Sequence, residues 1–208
     1  MKEQADILFL SSNPSNADRL ELDREARTVQ RAIEDVNPDS PAPLRLATCW
    51  AAEPLDLLRE IRSIRPMILH FAGYGSRGTD VGIYLQDRSG EAKLVSAKAL
   101  RDTIAAAGSS IRAVVFNACY TESQAAGLLE IDTLDCVIGV SGVINEAGGR
   151  LFVIEFYRAL AEGRTVHEAW TRGCTPLEAA GFSDRSRPQL RVRTGVDAQR
   201  LVIKNAVQ

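Results

Sequence analysis

The stretch Ala113-Val-Val-Phe-Asn-Ala-Cys-Tyr120 decides the fold of this chain. Its first four residues form an apolar run, which predicts a short strand buried on both faces of a sheet. Asn117 ends the run, and Cys119 follows just past the carboxyl end of the strand. Because ligands bind at the carboxyl ends of strands in parallel α/β sheets, Cys119 is a candidate nucleophile.

The segment after Cys119 bears on the reactivity of its thiol. It shows helical periodicity, with Glu122 in the first turn. A cysteine just before a helix N-terminus feels the positive end of the helix dipole, which favours the thiolate. The alternative is a free cysteine that serves only as a small buried hydrophobic residue. The local sequence leaves both interpretations open.

Strands and helices alternate along the rest of the chain. The apolar patterns predict strands at 7–10, 44–48, 66–71, 113–116 and 136–140, and a hairpin at 82–95. Helices are predicted between them at 18–36, 54–64, 96–107, 119–129, 145–162 and 165–172. This alternation predicts a three-layer α/β fold with a mainly parallel central sheet.

Two of these helices begin at sequences typical of a capping box. Asp18 and Glu21 predict the start of the first helix, and Thr165 and Glu168 predict the start of the last one. The last helix is expected to run to about Arg172.

The chain of 208 residues is expected to form one domain over 1–208, since no internal linker divides it. Residues 181–208 are expected to form a polar C-terminal extension. Short edge strands are possible there at 190–193 and 201–203, and such strands can pair between chains.

Composition excludes several classes of function. The net charge of −2 argues against a nucleic-acid partner. Four cysteines without a Cys-x-x-Cys pair, and two histidines, argue against a metal site, and we expect no cofactor. The sequence shows no signal-peptide pattern and no apolar stretch of membrane-spanning length. We therefore expect a cytoplasmic protein without a membrane partner.

A second polar segment, Gly73-Tyr-Gly-Ser-Arg-Gly78, follows the third predicted strand. Right-handed crossovers bring it to the same sheet edge as Cys119. Its glycine spacing is typical of nucleotide-binding loops, but a hairpin follows it instead of a helix, which disfavours that function. A thiol nucleophile needs a base, normally histidine, and this segment is where we expect the partner of Cys119.

Three stretches together resemble the CHAT domain, a caspase-like branch of cysteine peptidases related to caspases and separase. They are Ile7-Leu-Phe-Leu-Ser-Ser-Asn-Pro14, Ile68-Leu-His-Phe-Ala-Gly-Tyr-Gly75 and Val114-Val-Phe-Asn-Ala-Cys-Tyr-Thr-Glu-Ser-Gln124. The resemblance covers residues 5–172 and implies a caspase-like fold.

The resemblance implies a Cys–His dyad with Cys119 as the nucleophile. The family's histidine lies between the two glycines of the second stretch, where this chain has Tyr74. Tyrosine is a poor base at neutral pH because its ordinary pKa is about 10, although Tyr74 can orient a substrate or hydrogen-bond Cys119. The backbone N–H groups of Gly75 and Cys119 would form the oxyanion hole.

Several other residues are candidates for supporting roles at this site. His70 is either a hydrogen-bonded core histidine or a base, and His167 is expected at the surface. Without an imidazole, the helix dipole or a cation such as Arg77 would have to favour the thiolate. Asn117 and Glu122 are candidate substrate-binding residues; their alternatives are a local backbone cap and a helix-start carboxylate.

The resemblance implies a cysteine endopeptidase module of bacterial signalling or defence. Its substrate would be a peptide or protein, and a sensor protein would activate it. The alternative, favoured by Tyr74, is an inactive pseudopeptidase that binds a peptide or a partner protein.

Overall fold

A computed structural model describes residues 5–36, 44–76, 81–183 and 187–203. The strands are β1 (Ile7–Ser11), β2 (Leu46–Cys49), β3 (Ile68–Ala72), β4 (Tyr74–Gly75), β5 (Gly82–Gln86), β6 (Ala92–Ser96), β7 (Ala113–Asn117), β8 (Cys136–Val140) and β9 (Pro188–Val192). The helices are α1 (Leu22–Glu34), α2 (Pro54–Ile64), α3 (Ala97–Ala107), α4 (Ala125–Leu128), α5 (Glu146–Ala161) and α6 (Val166–Ala179). In the described ranges, no helix is long and apolar enough to cross a membrane.

The central sheet has six strands in the order β2-β1-β3-β7-β8-β9. All neighbours pair in parallel except β9, which runs antiparallel to β8. The predicted hairpin is present as β5 and β6, and with β4 it forms a small antiparallel sheet. The prediction of a mainly parallel α/β sheet is confirmed.

Helices cover both faces of the central sheet. On β1, Ile7 and Phe9 point to one face, against α1, α5 and α6. Leu8 and Leu10 point to the other face, against α2, α3 and α4. Strands buried on both sides read as continuous apolar runs, which is why β1, β3, β7 and β8 were visible in the sequence. The predicted three-layer arrangement is confirmed.

Two helix ends differ from the sequence prediction. Helix α1 begins at Leu22 after Glu21, without a side-chain cap, so the capping box at Asp18 is wrong. Asp18 instead lies in the β1–α1 loop, where its carbonyl oxygen accepts a hydrogen bond from Tyr74. Helix α6 starts at the predicted Thr165–Glu168 box but runs to Ala179, past Pro176. Burial of Cys174 and Leu177 stabilises this extra stretch.

The C-terminal part packs on the core. Strand β9 is the predicted edge strand at 190–193, found at Pro188–Val192. Residues 201–203 form no strand, but Leu201 and Ile203 are buried in the core beside α6. The Leu201 carbonyl accepts a hydrogen bond from the Val166 N–H at 2.8 Å.

Candidate active site

Neighbouring strands β3 and β7 carry Tyr74 and Cys119 to the same edge of the sheet. Ala72 and Asn117, the last residues of the two strands, are partners in the parallel register. Tyr74 and Cys119 each follow two residues later, so equal lengths of chain bring them together. Both line a pocket of about 500 Å³, together with Gly75 and Asn117. The remaining walls include Asp18, Arg19, Glu25, Ile144, Asn145 and Glu146.

Cys119 lies in a tight, strained turn. The next residue, Tyr120, has a left-handed backbone with φ 57°, a conformation that costs a non-glycine residue about 1–2 kcal/mol. Thr121 holds the turn in place. Its hydroxyl donates to the Ala118 carbonyl at 2.8 Å and accepts from the Val140 N–H at 3.2 Å. Strain that is retained in this way is typical of functional sites.

Gly75 packs directly against the turn that carries Cys119. A Cβ atom at Gly75 would lie 2.0 Å from the Cys119 carbonyl oxygen and 2.9 Å from Cγ2 of Thr121, so only glycine fits. The Ser76 N–H donates to the Gly82 carbonyl at 2.9 Å. Gly75 therefore occupies a non-hydrogen-bonded position of the β4–β5 ladder, and its N–H points away from β5.

The Tyr74 hydroxyl donates a hydrogen bond to the backbone carbonyl of Asp18. Burial, and then the negative charges of Asp18 and Glu146, raise the pKa of Tyr74 above its usual value. The phenol therefore stays protonated at neutral pH, and its proton points to the β1–α1 loop. In this arrangement Tyr74 closes one wall of the pocket and does not act as a base.

The Cys119 thiol points to the segment before α5. Its sulfur donates to the Ile144 carbonyl at 3.5 Å, just before α5. The helix predicted at 119–129 is shorter in the structure: a 3-10 turn, Glu122–Gln124, runs directly into the four-residue α4. So short a helix aligns few peptide dipoles, and the longer helix on which the predicted dipole effect rested is not formed.

The structure separates the two predicted substrate-binding residues. Asn117 lies on the pocket wall and packs against α5, where a Cβ at Gly149 would lie 2.6 Å from its amide atoms. Glu122 does not line the pocket. Its Oε1 accepts hydrogen bonds from Nε and Nη2 of Arg191, at 2.8 and 2.6 Å, on the edge strand β9.

Neither histidine lines the pocket. His70 is fully buried, as expected of a core histidine, and stacks on Phe9. Its Nε2 lies 2.9 Å from Oε1 of Glu25. His167 is on α6, where its ring contacts Trp170. Arg77 lies outside the described residues.

Several residues of the pocket were not identified from the sequence. Most of them lie at 18–20, in the β1–α1 loop, and at 144–146, where the β8–α5 loop meets the start of α5, and these stretches carry no periodic signal. Glu25 is different, because it sits on the buried stripe of α1 between Leu22 and Val29. A carboxylate within an apolar stripe is a recognisable signal of a buried polar site.

The comparison of sequences confirms the resemblance to CHAT proteases. No protein-family model matches the chain. The chain is 25% identical over 168 residues to a Roc-COR-CHAT protease from an unknown prokaryotic organism. The match covers 77% of this chain but only 15% of that relative.

Solved structures with the same fold are cysteine proteases. One is Caspase-1 from Spodoptera frugiperda, with a TM-score of 0.56 and 11% identity over 91% of this chain and 88% of the caspase. Another is a secreted C11 cysteine protease from Bacteroides thetaiotaomicron in complex with an irreversible peptide inhibitor. It has a TM-score of 0.55 and 10% identity over 90% of this chain and 66% of that protein. The chain therefore has a caspase-like fold, and its sequence resembles the CHAT-type cysteine proteases.

Proposed function

We propose that this chain is a CHAT-type cysteine endopeptidase module with a degenerate dyad, in which Tyr74 replaces the histidine. The observation that carries the proposal is the close packing of Gly75 on the strained Cys119 turn at one wall of a pocket. Glycine at this position and a left-handed tyrosine are costly to keep in a protein that needs only a packed core. They support a turn that is retained for its chemistry.

In the proposed reaction the Cys119 sulfur attacks a peptide carbonyl carbon. The carbonyl oxygen becomes an oxyanion and receives hydrogen bonds from the Gly75 and Cys119 backbone N–H groups. Departure of the amine leaves a thioester, which water hydrolyses. The Gly75 N–H suits this role because the β4–β5 ladder does not use it.

The charge of the pocket favours a basic peptide. Three carboxylates line it, on Asp18, Glu25 and Glu146, against the single guanidinium of Arg19 among its described residues. An Arg or Lys side chain near the scissile bond would complement this excess of negative charge. Asn117, on the same wall, offers both a donor and an acceptor to the peptide backbone.

The resting site supports a module that is switched on by another protein. The Cys119 thiol donates to the Ile144 carbonyl, and the Tyr74 hydroxyl donates to the Asp18 carbonyl. Both contacts must break before either group can act on a substrate. A sensor protein in bacterial signalling or defence is the proposed source of that change. The free state of the four cysteines suits a cytoplasmic module.

A pseudopeptidase is the second candidate function. The hydrogen bond of Tyr74 favours it, because the phenol at the position expected for histidine holds its proton. Loss of a dyad base removes orders of magnitude of rate. The same pocket would then bind a basic peptide or a partner segment without cleaving it.

The test is cleavage of a proteome-derived peptide library, read by mass spectrometry, with Cys119→Ala as the matched control. We expect the wild-type chain to cut slowly beside basic residues and Cys119→Ala to leave the library intact. Identical digests from the two proteins would contradict the peptidase function. Retention of basic peptides by both proteins, with no new termini, would then establish the pseudopeptidase.

A further inference from the structure

A buried cluster of three ionisable side chains lies beneath the candidate pocket. Glu25 of α1, His70 of β3 and Tyr157 of α5 are 6%, 0% and 0% exposed. His70 links the other two, with Nε2 at 2.9 Å from Oε1 of Glu25 and Nδ1 at 2.8 Å from the Tyr157 hydroxyl. Only Glu25 lines the pocket that holds Cys119.

We assign the direction of these hydrogen bonds for an ionised Glu25 and a neutral His70 ring. An ionised Glu25 can only accept, so Nε2 of His70 must carry a proton and donate to Oε1. Nδ1 of the neutral ring is then an acceptor and needs a donor. Tyr157 supplies it, because burial, and next the charge of Glu25, raise the pKa of its hydroxyl well above the usual value. In this assignment the Tyr157 hydroxyl donates to Nδ1 of His70, and Nε2 of His70 donates to Glu25 and orients it.

Glu25 differs from the other carboxylates of the pocket in its neighbours. Oε2 of Glu146 accepts from the Glu21 N–H at 2.7 Å and lies 3.6 Å from the Arg150 guanidinium. The Glu146 carboxylate is therefore already engaged by a backbone donor and a nearby cation. The side-chain partner of Glu25 is instead the imidazole of His70, and no guanidinium of the described residues pairs with it.

We infer that Glu25 is the proton acceptor of the pocket and replaces the histidine that Tyr74 displaces, with His70 and Tyr157 as positioning residues. The inference rests on the proposed peptidase function. When the S–H bond of Cys119 breaks, its electron pair forms the C–S bond to the substrate carbonyl carbon, and the C=O π pair moves to oxygen. The proton passes, directly or through a water molecule, to the Glu25 carboxylate.

The same proton then completes the first half of the reaction. It moves from Glu25 to the leaving amine nitrogen as the C–N bond breaks. In the second half, water attacks the thioester and gives a proton to Glu25. That proton returns to sulfur when the C–S bond breaks, so atoms and charges balance over the cycle.

Other charged groups face this region and shape its pH dependence. They come from every element around it: Asp18 and Arg19 from the β1–α1 loop, Tyr74 from β4, Cys119 and Tyr120 from the turn after β7, and Glu146 and Tyr157 from α5. Removal of any negative charge here makes a thiolate easier to form. Loss of a proton acceptor has the opposite effect. Glu25→Gln should therefore raise the alkylation rate of Cys119 if Glu25 acts only through its negative charge, and lower it if Glu25 is the proton acceptor.

The experiment compares Cys119 alkylation by iodoacetamide in Glu25→Gln and in the wild-type chain, located by mass spectrometry. We expect Glu25→Gln to lower the rate by about tenfold or more at about pH 7. At about pH 10, hydroxide ionises the thiol and the two rates should converge. Glu146→Gln is the matched comparison: it removes the same charge from the same pocket and should raise the rate, because a nearby negative charge that repels the thiolate is lost.

Two further readouts keep the inference falsifiable if Glu25→Gln does not fold. Tyr157→Phe keeps the ring but removes the donor to His70, so we expect an alkylation rate about threefold lower at about pH 7, again converging at high pH. Nitrogen NMR of ¹⁵N-labelled histidine should show His70 protonated at Nε2, with His167→Gln to assign the two signals. His70 protonated at Nδ1, or wild-type-like alkylation in Tyr157→Phe, would overturn the inference.

An unchanged or raised alkylation rate in folded Glu25→Gln at about pH 7 would also overturn it. Because alkylation needs no peptide, this outcome is separate from the peptide-library test. A chain that cuts peptides but alkylates equally with Glu25→Gln would keep the peptidase function and lose the proton acceptor.

Discussion

The ends of β3 and β7 differ although the two strands lie side by side in register. After β7, the turn around Cys119 has a left-handed Tyr120, and the Thr121 hydroxyl donates one hydrogen bond and accepts another. After β3, the chain places Gly75 in tight contact with that turn but carries a phenol at position 74. The backbone at both strand ends suits the proposed chemistry, and one side chain does not. The scaffold and the proton acceptor can therefore be tested separately.

The largest effect is expected from Tyr74→His, which makes the two strand ends match the CHAT pattern. An imidazole beside Cys119 can take the thiol proton, and general-base catalysis contributes about 10²–10⁴-fold in rate. We expect Cys119-dependent peptide hydrolysis to rise by that factor, measured on the peptides found in the library. No gain would mean that the end of β3 no longer aligns with Cys119.

The control for this gain is the double variant Tyr74→His with Cys119→Ala, which should be inactive. Addition of Glu25→Gln to Tyr74→His sharpens the comparison further. If the imidazole takes over the proton from Glu25, the second substitution should cost much less than it does in the wild-type chain. Such non-additivity is expected when two groups serve the same step. Equal costs in both backgrounds would assign Glu25 another role.

The next largest effect is expected from Gly75→Ala, which tests the backbone contact between the two strand ends. The new Cβ would lie 2.0 Å from the Cys119 carbonyl oxygen, so one of the turns must move. We expect a loss of about 3 kcal/mol in the free energy of unfolding, measured with urea. Cys119 alkylation should change together with it.

Gly127→Ala is the matched control for that measurement. Nothing lies within 4 Å of a Cβ at Gly127, and the residue is in the short helix α4. The substitution should stabilise the protein by up to about 1 kcal/mol, as alanine does relative to glycine in helices. If Gly75→Ala were as stable as the wild-type chain, this would contradict the close contact between Gly75 and the Cys119 turn.

The buried Cys136 thiol sets the upper pH limit for experiments that compare the two strand ends by alkylation. Burial, and then the charge of Asp135, raise the pKa of Cys136 on β8 from 9.0 to about 12. The folded chain therefore holds this proton longer than the unfolded chain does. The resulting stability is complete below about pH 9 and is lost as the pH rises toward about 12.

Cys136→Val removes this titration while it keeps an apolar side chain in the strand. Between about pH 9 and about pH 11, the wild-type chain should lose about 2 kcal/mol more unfolding free energy than the variant. Urea unfolding at both pH values measures the difference, and unfolding at about pH 7 isolates the packing change. If the unfolding free energies of the two proteins fell equally between these pH values, the Cys136 thiol would titrate normally in the folded state.

The sequence predicted the scaffold well because buried strands and helix caps have local signals. The apolar runs at β1, β3, β7 and β8, the hairpin and the box at Thr165 were all visible. The placement of Tyr74 and Cys119 at the same edge of the sheet was also predicted, and the register of β3 and β7 explains their proximity. Tertiary packing decided the length of α6, which no local pattern could show.

The chemistry of the pocket depended on contacts between distant parts of the chain. Tyr74 and Asp18 are 56 residues apart, and His70 and Tyr157 are 87 residues apart. Glu122 looked like a pocket residue because it follows Cys119 closely, yet it pairs with Arg191, 69 residues away. Side chains at a strand end can turn either way, and only the fold decides which one enters the pocket.

The smallest effect is expected from Tyr74→Phe, which separates the two possible roles of the phenol. The ring remains, and only the hydrogen bond to the Asp18 carbonyl is lost. Such a bond contributes about 0.5–1.5 kcal/mol, so the urea midpoint should fall slightly and amide exchange in the β1–α1 loop should quicken. Because the raised pKa keeps Tyr74 protonated, Cys119 alkylation at neutral pH should stay unchanged. A clear fall in the alkylation rate would instead make Tyr74 part of the proton path. The two strand ends would then share the chemistry, and the case for Glu25 would weaken.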